Sequence, residues 1–253
     1  MELPIHQEVS QILPRRLFLF SHTKVGKTSL LSALPNNLII DTEDGSEFIS
    51  GIKFNLIKEC AQTGKGPYSI LKELATEIKT NKKFYDYISI DSVTGLEDAA
   101  RGMATYIYKK SNAGKNFDGI DVVSELPSGS GYEWLRIAFK MLYDVFNGCY
   151  SKSMIITGHI KLTSFTKQGK EIQAKDIQLT GKLKTLICQK ADAIGFIYRN
   201  KDKAENIITF KTNEADLATG ARPEHLKDTE FVISELKDGK LITHRDKIFL
   251  ESK

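Results

Sequence analysis

The chain has 253 residues, 41% of them hydrophobic and 27% charged, with a formal net charge of +4. That is enough length and apolar content for one sizeable α/β core, while the apolar runs are far too short to span a bilayer and so mild a charge does not by itself select nucleic acid as a partner. Cys60, Cys149 and Cys188 stand far apart with no CxxC pair, which argues against a zinc site and a disulfide framework, and the opening Met-Glu-Leu-Pro-Ile-His-Gln-Glu lacks the basic start and apolar stretch of a signal peptide; a reducing, cytoplasmic setting is expected.

Leu17-Phe18-Leu19-Phe20 reads as the first strand, and residues 26–33 form a helix that stops before Pro35. Residues 38–41 are the second strand, and 54–57 have the composition of another. Residues 69–79 carry helical spacing, 87–91 a strand and 96–110 a helix. Residues 111–130, rich in Gly, Ser, Asn and Asp, are expected as a long loop. An amphipathic helix comes next over 132–146, with Trp134 placed in the core, then a strand over 154–157 and a second long, lysine-bearing loop over 161–180. Residues 193–199 and 206–211 suit a hairpin around Asn200-Lys201-Asp202-Lys203, and the remainder reads as short strands and turns. The alternation predicts an α/β fold with a mainly parallel central sheet flanked by helices, an antiparallel hairpin towards the C-terminus, and one domain over 1–253.

Ser21-His22-Thr23-Lys24-Val25-Gly26-Lys27-Thr28 joins the first strand to the first helix, which is the setting of a phosphate-binding loop. Such a loop needs backbone N–H groups aimed at phosphate oxygens, and a helix N-terminus supplies them together with its positive dipole end. Gly26 lets the backbone come close, Lys27 reaches the β- and γ-phosphates, and Thr28 offers its hydroxyl to Mg2+; Thr23, Lys24, Val25 and Ser29 complete the cradle. The ligands implied are ATP and Mg2+. The pattern GxxxxGK[ST] calls for glycine where this chain has Ser21, and Gly26-Lys27-Thr28 alone reads equally as a turn with an exposed lysine.

Two acids close apolar strands downstream: Asp41 in Leu38-Ile39-Ile40-Asp41-Thr42-Glu43, and Asp91 in Ile88-Ser89-Ile90-Asp91-Ser92. A carboxylate at the C-terminal end of a strand faces the crevice where α/β sheets take their ligands. Asp91 suits the Walker B task of holding Mg2+. Glu43, two residues past Asp41, is expected on the same face, where it can orient and deprotonate a water.

Ile39-Ile40-Asp41-Thr42-Glu43 followed by Ile88-Ser89-Ile90-Asp91-Ser92-Val93-Thr94-Gly95-Leu96-Glu97 resembles the core of the RecA-like P-loop ATPases. Within them it is most similar to the small phage ATPases of the Sak single-strand-annealing group and related phage AAA-type nucleotide-binding proteins. The resemblance extends over about residues 17–199. It implies a RecA-like fold and ATP hydrolysis, with Glu43 as base after the second strand, Asp91 as Walker B and Lys27 on the phosphates. It also implies that His159, after Met154-Ile155-Ile156-Thr157-Gly158, senses the γ-phosphate and couples it to a DNA-binding loop; a histidine merely closing a strand is the plainer alternative.

In that family the loop after the sensor touches single-stranded DNA. Here it carries Lys161, Phe165, Lys167, Lys170 and Lys175, with Glu171 and Asp176 diluting the charge, and a solvated lysine-rich loop is the other reading. The earlier loop, with Lys109, Lys110 and Lys115 against Asp118, Asp121 and Glu125, is the second candidate. The resemblance further implies a homo-oligomer in which a neighbour donates a cation, for which Lys211 and Arg222 are the candidates; neither sits in a specific motif, and solvated surface residues are the plainer reading of each. It points to a single-stranded-DNA-binding protein or other replication protein as partner, no membrane, and the cytoplasm of a bacterial host if the chain is phage-encoded. The function expected is an ATPase, stimulated by DNA, acting on single-stranded DNA in recombination or annealing. The alternative is a nucleotide-switched replication accessory or helicase-loader-like protein with little hydrolysis, which Ser21 and the mixed charge of the loops favour. A P-loop kinase ranks last, because no arginine-rich lid is present.

Overall fold

The computed structural model describes residues 12–167, 170–200, 202–212 and 219–250, and within 165–174 the backbone alone. In chain order the elements are β1 (Arg16–Ser21), α1 (Lys27–Ser32), β2 (Asn37–Asp41), β3 (Ile52–Asn55), α2 (Leu56–Thr63) and α3 (Pro67–Thr80). Next come β4 (Tyr87–Asp91), α4 (Val93–Lys110), α5 (Val122–Glu125), α6 (Gly131–Tyr143), β5 (Ser153–Lys167), β6 (Lys170–Ile177) and α7 (Lys182–Lys190). The last are β7 (Ala193–Asn200), β8 (Glu205–Thr209), β9 (Gly220–Ala221), β10 (Glu230–Lys237) and β11 (Lys240–Thr243).

The main path of the sheet runs β11-β10-β8-β7-β1-β5-β4-β2-β3. From β3 to β7 every neighbouring pair is parallel, and β8, β10 and β11 add antiparallel strands at the C-terminal side. Leu17 to Phe20 of β1 are each at most 2% exposed, as expected of a strand covered on both faces. Their alternation splits the core. Phe18 and Phe20 join Ile88, Ile90, Leu96 and Phe139 on one face; Leu17 and Leu19 join Leu30, Leu31, Ile197 and Phe210 on the other. Each such side chain contributes about 1.5–3 kcal/mol relative to exposure. The chain leaves β1 for β2, three positions away in the sheet, and fills β4 and β5 in between later. β1 therefore stands at a reversal of strand order, and the crevice at its C-terminal end is where such a sheet takes a ligand. This is the α/β architecture expected, a mainly parallel central sheet flanked by helices with antiparallel strands on the C-terminal side.

The expectations for the two long loops need correction. Residues 161–167 and 170–177 are strand and not loop: β5 runs on past Thr157 to Lys167 and pairs with β6, in register from Ile160 opposite Ile177 to Lys167 opposite Lys170. Lys161, Leu162, Thr163 and Ser164 are all exposed, so no buried face imposes the apolar alternation by which a strand is read. Residues 111–130 contain α5, which buries Val122 and Val123 and is tied back to α4 by the Arg101–Asp121 ion pair and by Val122 N–H donating to Thr105 Oγ1 at 3.2 Å. The strand expected over 54–57 ends at Asn55, whose side chain accepts from the Lys58 N–H at 2.9 Å and starts α2. Among the described residues no helix is long and apolar enough to cross a membrane.

Candidate nucleotide site

The loop after β1 turns through Lys24, with φ 60°, and Gly26, with φ 98°, into α1. The left-handed φ at Gly26 costs a residue without Cβ little. Among the described residues nothing accepts from the N–H groups of residues 25–29, so α1 opens with free donors and its positive dipole end exposed to the crevice. Val25 is buried against the core on the α1 face and pins the loop to the sheet.

Lys27 is 6% exposed. Its Nζ donates to Ser21 Oγ at 2.9 Å and to His22 O at 3.2 Å, and lies 3.4 Å from His159 Nδ1. Ser21, where the pattern calls for glycine, thus gives the lysine a hydroxyl to rest on. Burial lowers the Lys27 pKa, and the negative charges of Asp91 and Glu43 work against that shift.

Asp91 ends β4 between two hydroxyls. Thr28 Oγ1 donates to its Oδ2 at 2.6 Å, and Thr157 Oγ1 donates to its Oδ1. Burial pushes the Asp91 carboxyl above the usual range, against the pull of the two hydroxyls and Lys27. Thr157, the last residue of the apolar run in β5, is a site residue outside the reach of motif reading; its only signal is a polar residue closing that run. Thr28 and Asp91 offer a hydroxyl and a carboxylate oxygen, the hard donors Mg2+ takes alongside phosphate oxygens and water. Among the described residues no group of three or more His, Cys, Asp or Glu could hold a metal ion.

Glu43 lies just past β2, but the period-two expectation that pairs it with Asp41 does not hold. Asp41 folds back to accept from the N–H groups of Glu43 at 3.0 Å, Gly45 at 3.4 Å and Ser46 at 3.0 Å, and from Ser46 Oγ at 2.6 Å. Burial raises its pKa, but the four hydrogen bonds outweigh it and hold the carboxyl below the usual range. Asp41 therefore shapes the turn that presents Glu43. The carboxylate of Glu43 accepts from Ser92 Oγ, and its Oε2 lies 3.2 Å from His159 Nε2. Those two contacts, His159 first, bring its pKa below the usual range despite burial. Close packing fixes the geometry: Thr42 N–H donates to Asp91 O at 2.9 Å, Thr42 Oγ1 donates to Ser92 O at 2.6 Å, and a Cβ on Gly95 would lie 2.4 Å from Thr42 O.

His159 closes the assembly. Register puts it opposite Ser21 across β1 and β5, and its ring bridges Lys27 and Glu43. Lys27, Thr28, Asp91, Glu43 and His159 therefore meet at one end of the sheet, with Gly26 and the free N–H groups beside them. This arrangement can hold a phosphate chain, a hydroxyl- and carboxylate-bound cation, and a water next to an ionised carboxylate.

The other expected site residues lie elsewhere. Lys161 Nζ donates to Leu179 O at 3.3 Å, and Lys175 Nζ sits 4.9 Å from the centre of the Phe196 ring, so both are engaged internally. The side chains of Phe165, Lys167 and Lys170 lie outside the described residues. In the earlier segment Lys109 Nζ lies 5.7 Å from the centre of the Phe117 ring. Lys211 pairs with Glu230 at 3.6 Å. Arg222 is held by Asp192 Oδ1 and Gln189 O, each at 3.2 Å, and Asp192 N–H donates to Arg16 O, at the opposite end of β1 from the loop. Trp134 packs against Tyr108 with ring centroids 5.2 Å apart, as the core placement expects.

No curated protein matches the chain in sequence. Among solved structures it is similar to the RadB recombinase, with TM-score 0.40 and 12% identity over 91% of each chain. It is also similar to the flagellar accessory protein FlaH from Methanocaldococcus jannaschii, with TM-score 0.42 and 14% identity over 92% of this chain and 91% of that one. A family model described as an AAA domain matches residues 13–222, which takes in the phosphate loop, both acid-bearing strand ends and His159. The chain belongs to that AAA domain family.

Proposed function

We propose that this protein binds ATP with Mg2+ on the loop 21–28, hydrolyses it, and uses the cycle to act on single-stranded DNA as a homo-oligomer in recombination or annealing. The observation that carries the reading is the convergence of Lys27, His159 and Glu43 beside the Thr28–Asp91 pair. Lys27 exchanges its contacts with Ser21 and His22 for oxygens of the terminal phosphates, and the N–H groups at the start of α1 take the others. Thr28 and Asp91 hold Mg2+, which supplies charge neutralisation at the transferred phosphate. Glu43, ionised and aimed by Ser92 and His159, takes the proton of the attacking water. His159 reports the change: when Lys27 turns to phosphate the imidazole loses that neighbour, and its own strand continues directly into the β5–β6 arm. The arm is proposed as the DNA element, with Lys161, Phe165, Lys167, Lys170 and Lys175 as its contacts. Lys211 or Arg222 of a neighbouring copy is proposed as the cation in trans, and the cytoplasm as the setting.

A second reading is favoured by the internal engagement of Lys161 and Lys175. On it the protein is a nucleotide-switched replication accessory or loader, and the arm meets protein instead of DNA. ATP turnover titrated with single-stranded DNA, duplex DNA and RNA, with the mass of the assembly measured in each state, separates the two. The first reading expects stimulation by single strands and a larger assembly on them. Absence of DNA binding at low salt with nucleotide present overturns it.

A further inference from the structure

The phosphate loop has two flanks. On the β5–β4–β2 side lie Glu43, Asp91 and His159, and Lys27 and Thr28 both lean that way. On the other side the loop abuts the β7–β8 pair. A Cβ on Gly26 would lie 3.5 Å from Asn206 Nδ2, and Val25 shares its core cluster with Ile197 and Ile208. β7 pairs with β1 up to Ile197 opposite Ser21, so Arg199 stands two residues past the end of β1, directly across from Asn206 of β8.

The Asn206 side chain is fixed. It is 9% exposed, its Nδ2 donates to Ser234 Oγ at 2.9 Å, and its Oδ1 accepts from Arg199 Nε at 3.5 Å. That contact holds the guanidinium by its inner nitrogen. Among the described residues neither Nη group of Arg199 has a hydrogen-bond or ion-pair partner, and the side chain is exposed. An arginine oriented by a buried amide beside a phosphate loop, with its outer fork open, has the geometry that takes phosphate oxygens two at a time. Terminal phosphates belong to the Lys27–Asp91 flank, so a nucleotide lying along the loop brings its α-phosphate to the Arg199 flank.

We propose that Arg199, positioned by Asn206, binds the α-phosphate of the nucleotide. This rests on the nucleotide reading above. The site then divides by strand: the β5–β4 side works on the bond that breaks, and the β7–β8 side grips the part that stays.

The test is equilibrium binding of ATP and ADP, with Mg2+, to the full chain and to Arg199→Ala, Arg199→Lys and Asn206→Ala, with steady-state ATP turnover of each. Arg199→Ala should weaken ATP and ADP alike, by about 10- to 100-fold, the range for losing a charged hydrogen-bonded partner. Arg199→Lys keeps the charge without the fork and should fall between. Asn206→Ala keeps the arginine but frees it, and should raise KM for ATP while leaving kcat within about twofold. ADP affinity unchanged in Arg199→Ala overturns the proposal, because it would put Arg199 on the γ-phosphate that ADP lacks. If the unmodified protein binds neither ATP nor ADP, the nucleotide reading itself falls; if it binds both and Arg199→Ala binds them equally well, only the present inference does.

Discussion

Replacing Glu43 by glutamine keeps the side chain's size and one of its two anchors. Ser92 Oγ can still donate to the amide oxygen, and the new amide nitrogen falls where Oε2 now stands, 3.2 Å from His159 Nε2. Packing is therefore little disturbed, and Lys27, Thr28 and Asp91 keep their contacts. What is lost is an acceptor for the proton of the attacking water, and a positioned base contributes about 10²- to 10⁴-fold in rate. That corresponds to about 2.7–5.4 kcal/mol of transition-state stabilisation. Single-turnover hydrolysis at saturating ATP and Mg2+, read beside nucleotide affinity, measures it. The expected result is affinity within about threefold of the unmodified protein and a rate lower by at least 100-fold. A Glu43→Gln protein that hydrolyses ATP within about threefold of the original rate would refute the assignment and leave Glu43 as a hydrogen-bond partner of His159.

Two further outcomes rest on the packing around that carboxylate. Gly95→Ala puts a methyl 2.4 Å from the backbone oxygen of Thr42, where nothing flexible can yield. It should cost about 1–3 kcal/mol, seen as a fall in Tm of about 2–4 °C per kcal/mol, and lower ATP turnover by displacing Glu43; an unchanged Tm with full turnover would contradict it. Asp41→Asn should destabilise the protein near neutral pH by about 1.5–3 kcal/mol, through loss of charge-assisted hydrogen bonds. The folded-state pKa of Asp41 is depressed, so its contribution is present above the unfolded value of about 3.9 and is lost as pH falls through the lower folded value. Denaturant unfolding of both proteins from pH 7 down to pH 3 should show a gap that is constant above about pH 5 and narrows below about pH 4. A gap that widens towards acid would reverse the reasoning.

The site is legible in the sequence wherever a polar residue closes a run buried on both faces. Leu17 to Phe20, Leu38 to Ile40 and Ile88 to Ile90 belong to central strands, and the residues just past each run lie at the crevice. Asp91 and Glu43 are found by that signal, Lys27 and Thr28 by the Gly-Lys-Thr pattern between strand and helix, and His159 by the family resemblance; the five meet in the structure. The β5–β6 arm is not legible, because Lys161 to Ser164 are exposed and carry no pattern of burial. Asp41 and Glu43 look equivalent only while a strand's alternation is carried past the strand's end; the turn that Asp41 caps breaks it. Arg199 and Asn206 belong to no motif. Only the pairing of β7 with β1 and of β8 with β7 brings them beside Gly26, and that is a fact of topology that spacing along the chain does not carry.

Binding of ATP with Mg2+ to the unmodified protein and to Lys27→Ala, by titration calorimetry, tests the central claim most directly. The Lys27 ammonium is buried, rests on neutral oxygens and has no direct carboxylate partner among the described residues, so its charge is free for phosphate. The account predicts saturable one-to-one binding by the unmodified protein and a loss of at least about 10-fold in Lys27→Ala, as expected for removing a charged hydrogen-bond donor. Equal affinity in the two proteins, or no binding by either, would contradict it.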